Sequence, residues 1–118
     1  MAPRLLEGKP VAEEVLAEVL ERSKKLKDHG IIPGLGTILV GDDPASAGYI
    51  RKKHETCQGV GFRSFDVHIP ADADQDDLLS AVRDFNENPE VDGFLIQYPV
   101  PKGFDFGEAV RAIDPEKD

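Results

Sequence analysis

The chain has one cysteine, Cys57, among its 118 residues. A lone cysteine excludes an internal disulfide and a thiolate zinc cage, and it fits a reducing compartment. No stretch approaches the roughly 20 apolar residues of a membrane-spanning helix. The opening MAPRLLEGKP also lacks the apolar run of a signal peptide. A cytoplasmic protein with no membrane partner is therefore expected. Histidine is scarce, and His29, His54 and His68 stand apart without metal-ligand spacing. The GLG at 34–36 precedes a strand-like run, whereas the glycines of a dinucleotide loop follow one. There is no Walker loop and no serine in a nucleophile elbow.

Positive charge is missing from the second half. Residues 1–60 hold nine Lys/Arg and nine Asp/Glu; residues 61–118 hold five against fourteen, which carries the whole net charge of −9. Such a surface repels phosphate backbones, so no nucleic-acid partner is expected. The cluster Arg51-Lys52-Lys53-His54 stands out as a local basic feature that could face a small anion.

What is present has clear periodicity. Pro10 suits the first turn of a helix, and Val11, Val15, Leu16, Val19, Leu20 and Leu26 recur at spacings of three and four. The pattern predicts an amphipathic helix over about 10–29, ended by His29-Gly30. LGTILVG reads as a strand buried on both faces, the kind found in parallel sheets. GDDPA is a turn, with Asp42 and Asp43 as turn residues. A second helix follows over about 46–58 and stops at the glycines of GVG. FRSFDVHI is a strand, and DADQDDLLSAVRDFNENP is a helix with Leu78, Leu79, Val82 and Phe85 on one face. VDGFLIQYPVP is a third strand, cut by Pro99 and Pro101. DFGEAVRAID is a short last helix. The alternation implies one α/β domain over 1–118, a three-layer α-β-α arrangement around a small, mainly parallel sheet. Sites in such sheets lie beyond the carboxyl ends of the strands. Here that places a pocket between LVGDDPAS and IQYPVP, walled by the start of the second helix.

On that helix Ser46, Tyr49, Lys53 and Cys57 are spaced by three, four and four, and so share a stripe. Ala47, Ile50, His54 and Val60 lie to one side and can pack on the sheet. Lys52, one position from Lys53, points elsewhere on the helix. A partly buried lysine crowded by cationic neighbours can donate a proton, accept one or polarise a water. The plainer reading, a solvated basic face, is favoured by spacing alone. Gln97 interrupts an apolar strand where it ends. It either faces water or is a buried amide in need of partners, and the strand end near Lys53 would supply one. In the second case Lys53 and Gln97 lie within hydrogen-bond reach at the carboxyl edge. The prolines of YPVP break the strand and could form a rigid pocket lip. Cys57 reads as a small buried residue.

VGDDPASAGYIRKKHETCQGVG, followed by DGFLIQYPVP and IDPEKD, resembles the bifunctional methylenetetrahydrofolate dehydrogenase/methenyltetrahydrofolate cyclohydrolase family. The match covers nearly the whole chain in the family's order. The opening LLEGKPVAEEV is also similar to the family's start, which would put Met1 near the natural N-terminus. The resemblance implies an amino-acid-dehydrogenase-like N-terminal domain that binds folate. Members oxidise 5,10-methylenetetrahydrofolate with NADP, some with NAD, and hydrolyse the product to 10-formyltetrahydrofolate. They serve one-carbon metabolism and purine biosynthesis in the cytoplasm, as homodimers. By the resemblance Tyr49 stacks on the folate, Lys53 is catalytic, Gln97 orients it and Ser46 supports the pocket. Ile96, Tyr98, Pro99 and Pro101 would complete the substrate-binding set.

Three departures accompany the resemblance. Tyr98 and Val100 stand where the family has leucines. The family's KDVDG reaches only its first aspartate, Asp118, and residues 1–118 hold no counterpart of the NADP-binding domain that the resemblance implies. The expectation is therefore a folate-binding catalytic half that needs no cofactor or metal of its own and lacks dehydrogenase turnover. The alternatives are a folate-binding or assembly module without catalysis, and an unrelated α/β interaction domain.

Overall fold

The computed structural model describes residues 8–118. The reading of Met1 and the first three residues of the LLEGKPVAEEV opening lie outside them; the rest of that opening falls in the first helix. Seven elements follow one another: α1 (Gly8–Asp28), β1 (Gly34–Val40), α2 (Pro44–Val60), β2 (Arg63–Ile69), α3 (Gln75–Glu87), β3 (Gly93–Ile96) and α4 (Phe106–Arg111). The three strands form one sheet in the order β2-β1-β3, parallel throughout. The expected order of elements and the α/β class are observed. The third strand is shorter than the apolar run suggested, because Pro99 and Pro101 have no N–H to give a ladder.

Side chains alternate across a strand, and this alternation divides the sheet into two faces. Ile38 and Val40 of β1 and Phe94 and Ile96 of β3 join Leu78, Val82 and Phe85 of α3 and Ala109 of α4 in the main core. The Phe85 and Phe94 rings meet at 5.1 Å. Thr37, Leu39 and the intervening positions of β3 turn to the other face, which α2 covers over β1 and β2. A capping box between Asp74 and Asp77 starts α3. Lys117 donates to Phe85 O and Asn88 O and closes the far end of that helix.

Helix α1 lies against α2. Its apolar stripe is only partly covered by the described residues: Val19 and Leu20 are half-buried, whereas Val11 and Val15 are 53% and 52% exposed.

Candidate active site

The site is built on α2, and its ends explain where that helix sits. Gly41 has φ +85 and donates to Ile69 O at 2.8 Å, which turns the chain off β1. A Cβ there would stand 2.7 Å from Pro101 Cγ, so only glycine lets the two loops at the carboxyl edge touch. Asp43 then caps α2, accepting from the N–H groups of Ala45 at 2.9 Å and Ser46 at 3.1 Å. Pro44 suits the first turn. Gly61, with φ +81, closes the other end by donating to Cys57 O and Gln58 O. Asp43→Ala should remove about 1 kcal/mol of stability, while Asp43→Asn retains most of it. Paired thermal melts check this, and equal melting of all three proteins would contradict it.

The inward row of α2 is Ser46, Ile50, Lys53, Cys57 and Val60. Ser46, Cys57 and Val60 are buried, and Ile50 and Lys53 are half-buried. A lysine at the middle of that row must leave along the sheet toward a polar partner. The partner is Gln97, the first residue after β3. Its N–H donates to Ile38 O at 2.9 Å, which extends the ladder by one bond. Alternation turns its side chain away from the Ile96 core and toward α2. Lys53 Nζ donates to Gln97 Oε1 at 2.5 Å, and Gln97 Nε2 donates to Tyr98 O at 3.3 Å. The second bond presents the amide oxygen to the lysine. The amide is thus partnered, and the expected contact at the carboxyl edge is present.

Beside this pair runs an apolar groove of about 370 Å³, bounded by Tyr49, Lys52, Lys53, Thr56 and Cys57 of α2 and by Leu16, Val19, Leu35 and Phe62. Tyr49 stands at its rim with 60% exposure. A second cleft of about 250 Å³ lies among Val40, Asp42, Asp43 and the prolines 99 and 101. Lysine, amide and exposed tyrosine together can take a flat, partly apolar ligand and move a proton on it.

Several residues sit differently from their sequence placement. Ala47 is exposed rather than packed on the sheet. Lys52 is exposed and does not meet Gln97, as expected of the next residue round the helix, but it lines the same groove as Lys53. Ile96 is buried in the main core, so its side chain turns away from Lys53. Tyr98 is 67% exposed, and its ring meets Phe106 of α4 edge-on at 5.2 Å, on the core side of the sheet. A cis bond joins Tyr98 to Pro99. Burial, with the Asp66 carboxylate adding to it, pushes the Cys57 thiol up, so it stays protonated and inert.

Sequence reasoning missed the groove wall from α1, although Leu16 and Val19 lay in a visible apolar stripe. It also missed a polar cluster on the β2 side. His54 Nδ1 lies 3.0 Å from Ser64 Oγ and 3.3 Å from Asp66 Oδ2. The alternating polar residues of RSFDVHI were the available signal. Among the described residues no group of three His, Cys, Asp or Glu could hold a metal ion, and no helix is long and apolar enough to cross a membrane.

An open parallel sheet with a lysine–amide pair at its carboxyl edge defines a class: α/β domains that bind a small molecule beyond the strand ends. Comparison with known proteins narrows this. The family model for the tetrahydrofolate dehydrogenase/cyclohydrolase catalytic domain matches residues 6–118, and the chain belongs to that family. It is 61% identical to the bifunctional protein FolD of Syntrophotalea carbinolica over 118 residues, which is all of this chain and 41% of that protein. FolD of Rhodopseudomonas palustris is 45% identical, with 40% of its length covered. The structure superposes on the bifunctional FolD enzyme of Campylobacter jejuni with a TM-score of 0.92 at 33% identity, over 96% of this chain and 40% of that one. The Trypanosoma brucei FolD, solved with NADP cofactor and an inhibitor, gives 0.90 at 34% identity over 96% and 39%. The chain thus spans about two fifths of the length of these relatives.

Proposed function

We propose that this chain forms the folate site of a methylenetetrahydrofolate dehydrogenase/cyclohydrolase and that Lys53 is its working group. The observation that carries this is the Lys53 Nζ–Gln97 Oε1 bond of 2.5 Å at the carboxyl edge, beside exposed Tyr49. In the cyclohydrolase step water adds to the methenyl carbon of 5,10-methenyltetrahydrofolate. The water gives up both its protons as its oxygen becomes the formyl carbonyl, the bond from that carbon to N5 breaks, and N5 takes up one of the two. The product is 10-formyltetrahydrofolate, and one proton is released overall. Lys53 can relay these protons, because Gln97 occupies one N–H and leaves the rest of the amine facing the cleft. Tyr49 offers its ring to the flat part of the folate. Ser46, Pro99 and Pro101 shape the edge around it. One-carbon folate metabolism in the cytoplasm, feeding purine biosynthesis, and a homodimeric full-length enzyme follow from this reading.

NADP supplies the hydride acceptor for the dehydrogenase step. The residues described here do not fit it. The three helices that follow strands each begin at an aspartate, Asp43, Asp74 and Asp105, whose carboxylate accepts the first N–H groups. A pyrophosphate would meet negative charge where it needs free donors. The reading therefore assigns no dinucleotide site to residues 8–118.

Calorimetric titration tests both halves of the proposal. A folate analogue should bind weakly, and NADP should give no isotherm. An NADP isotherm would show a nucleotide site among these residues and overturn the assignment. No folate binding would overturn the site. Folate binding without hydrolysis of the methenyl compound would identify a binding module that lacks turnover.

A further inference from the structure

Lys53 ties α2 to β3 through Gln97, and the next residue makes a tie in the other direction. His54 Nδ1 lies 3.0 Å from Ser64 Oγ and 3.3 Å from Asp66 Oδ2, both on β2. Consecutive helical residues diverge by about 100°, and β1 lies between β2 and β3. The two side chains therefore leave α2 on opposite flanks, one toward each outer strand. A ring nitrogen that faces a carboxylate carries the hydrogen, so the network assigns the Nδ1–H form and His54 donates.

The helix has little else to hold its rotation. Its buried residues are only Ser46, Cys57 and Val60. On the Lys53 flank it borders the 370 Å³ groove rather than packed side chains. A small inward face beside a void offers few interlocking contacts against a roll about the helix axis. Lys53 reaches its partner on a four-carbon stem, so a slight roll at the backbone becomes a larger displacement at Nζ. We propose that His54 is a positioning residue for Lys53. Its bonds to Asp66 and Ser64 set the roll of α2 on the sheet and keep the amine against Gln97. This rests on the reading of Lys53 as the working group.

Three substitutions test it. His54→Leu fills the space without a donor. His54→Asn places an amide N–H close to the position of Nδ1, and His54→Gln places one near Nε2, out of reach of Asp66. Two readouts apply: the side-chain amide signals of Gln97 by NMR in the free protein, and hydrolysis of 5,10-methenyltetrahydrofolate. His54→Leu and His54→Gln should shift the Gln97 signals and lower kcat about tenfold with KM nearly unchanged, since misplacement by about 1 Å can cost up to 10²-fold. His54→Asn should restore both. If His54→Leu does not fold, the Asn and Gln pair decides. Wild-type Gln97 signals in His54→Leu or His54→Gln, or equal impairment of the Asn and Gln variants, would overturn the proposal. Lys53→Met serves as the control. If that variant hydrolyses substrate as the wild type does, the reading of Lys53 fails, and the Gln97 signals alone judge His54.

Discussion

Lys53→Met is expected to slow hydrolysis of 5,10-methenyltetrahydrofolate by about 10²–10⁴-fold, the range lost when a general acid–base group is removed. Methionine keeps most of the lysine's length and apolar stem, so the half-buried place on α2 stays filled. Only the amine goes, and with it the bond to Gln97 Oε1. The fold should persist, because the Gln97 backbone is held independently by Ile38 O and its amide can turn to water. Folate affinity should fall much less than rate, since the Tyr49 ring remains. Lys52→Met is the sharper comparison now that both lysines are known to border one groove. It removes the same formal charge from the same rim without touching Gln97. Single-turnover hydrolysis with protein in excess would separate the two. Similar losses from both substitutions would mean that summed positive charge, not the placed amine, supports the reaction.

Leu78→Ala should have the largest effect on stability, and it acts on the opposite face of the sheet. Leu78 is 0% exposed in the core cluster with Ile38, Val82 and Ile96. Cutting a fully buried leucine to alanine costs about 2–5 kcal/mol, as lost transfer energy plus the cavity left behind. Domains of this kind have only about 5–15 kcal/mol in total, so the variant should unfold at a much lower urea concentration. Its m-value should be unchanged, because the surface exposed on unfolding is nearly the same. Urea titration followed by circular dichroism measures both. Where the protein is folded, folate binding should survive, since α3 packs on the Ile38 and Ile96 face of the sheet, opposite α2. A loss below about 1 kcal/mol would show that the core relaxes around the gap, and the description of its packing would need revision.

The two variants probe the two faces that strand alternation creates, and the sequence shows only part of that division. The period of three and four in α1 and α3 and the β-branched run of β1 were legible, because they depend on neighbours within one element. So were the stops: Gly61 needs a left-handed backbone, and Pro99 and Pro101 cannot continue a ladder. Lys53 and Gln97 were visible as an unusual lysine and an amide in an apolar strand, and the family resemblance joined them. Spacing alone favoured a solvated basic face, and for Arg51 and Lys52 exposure is what the structure shows.

The sequence by itself therefore determined the order of helices and strands, their approximate ends and the α/β class, since each follows from local periodicity and backbone chemistry. The tertiary structure alone decided that β1 is central, that Ile96 turns into the core while Gln97 turns out of it, and that His54 faces Asp66 on the flank opposite Lys53. Each of those outcomes depends on which distant elements pack together. A contact such as Lys53–Gln97 spans 44 residues of chain. Nothing in the local pattern of either segment encodes it. It exists because parallel pairing aligns β3 with β1 and the caps at Asp43 and Gly61 fix the ends of α2 across them.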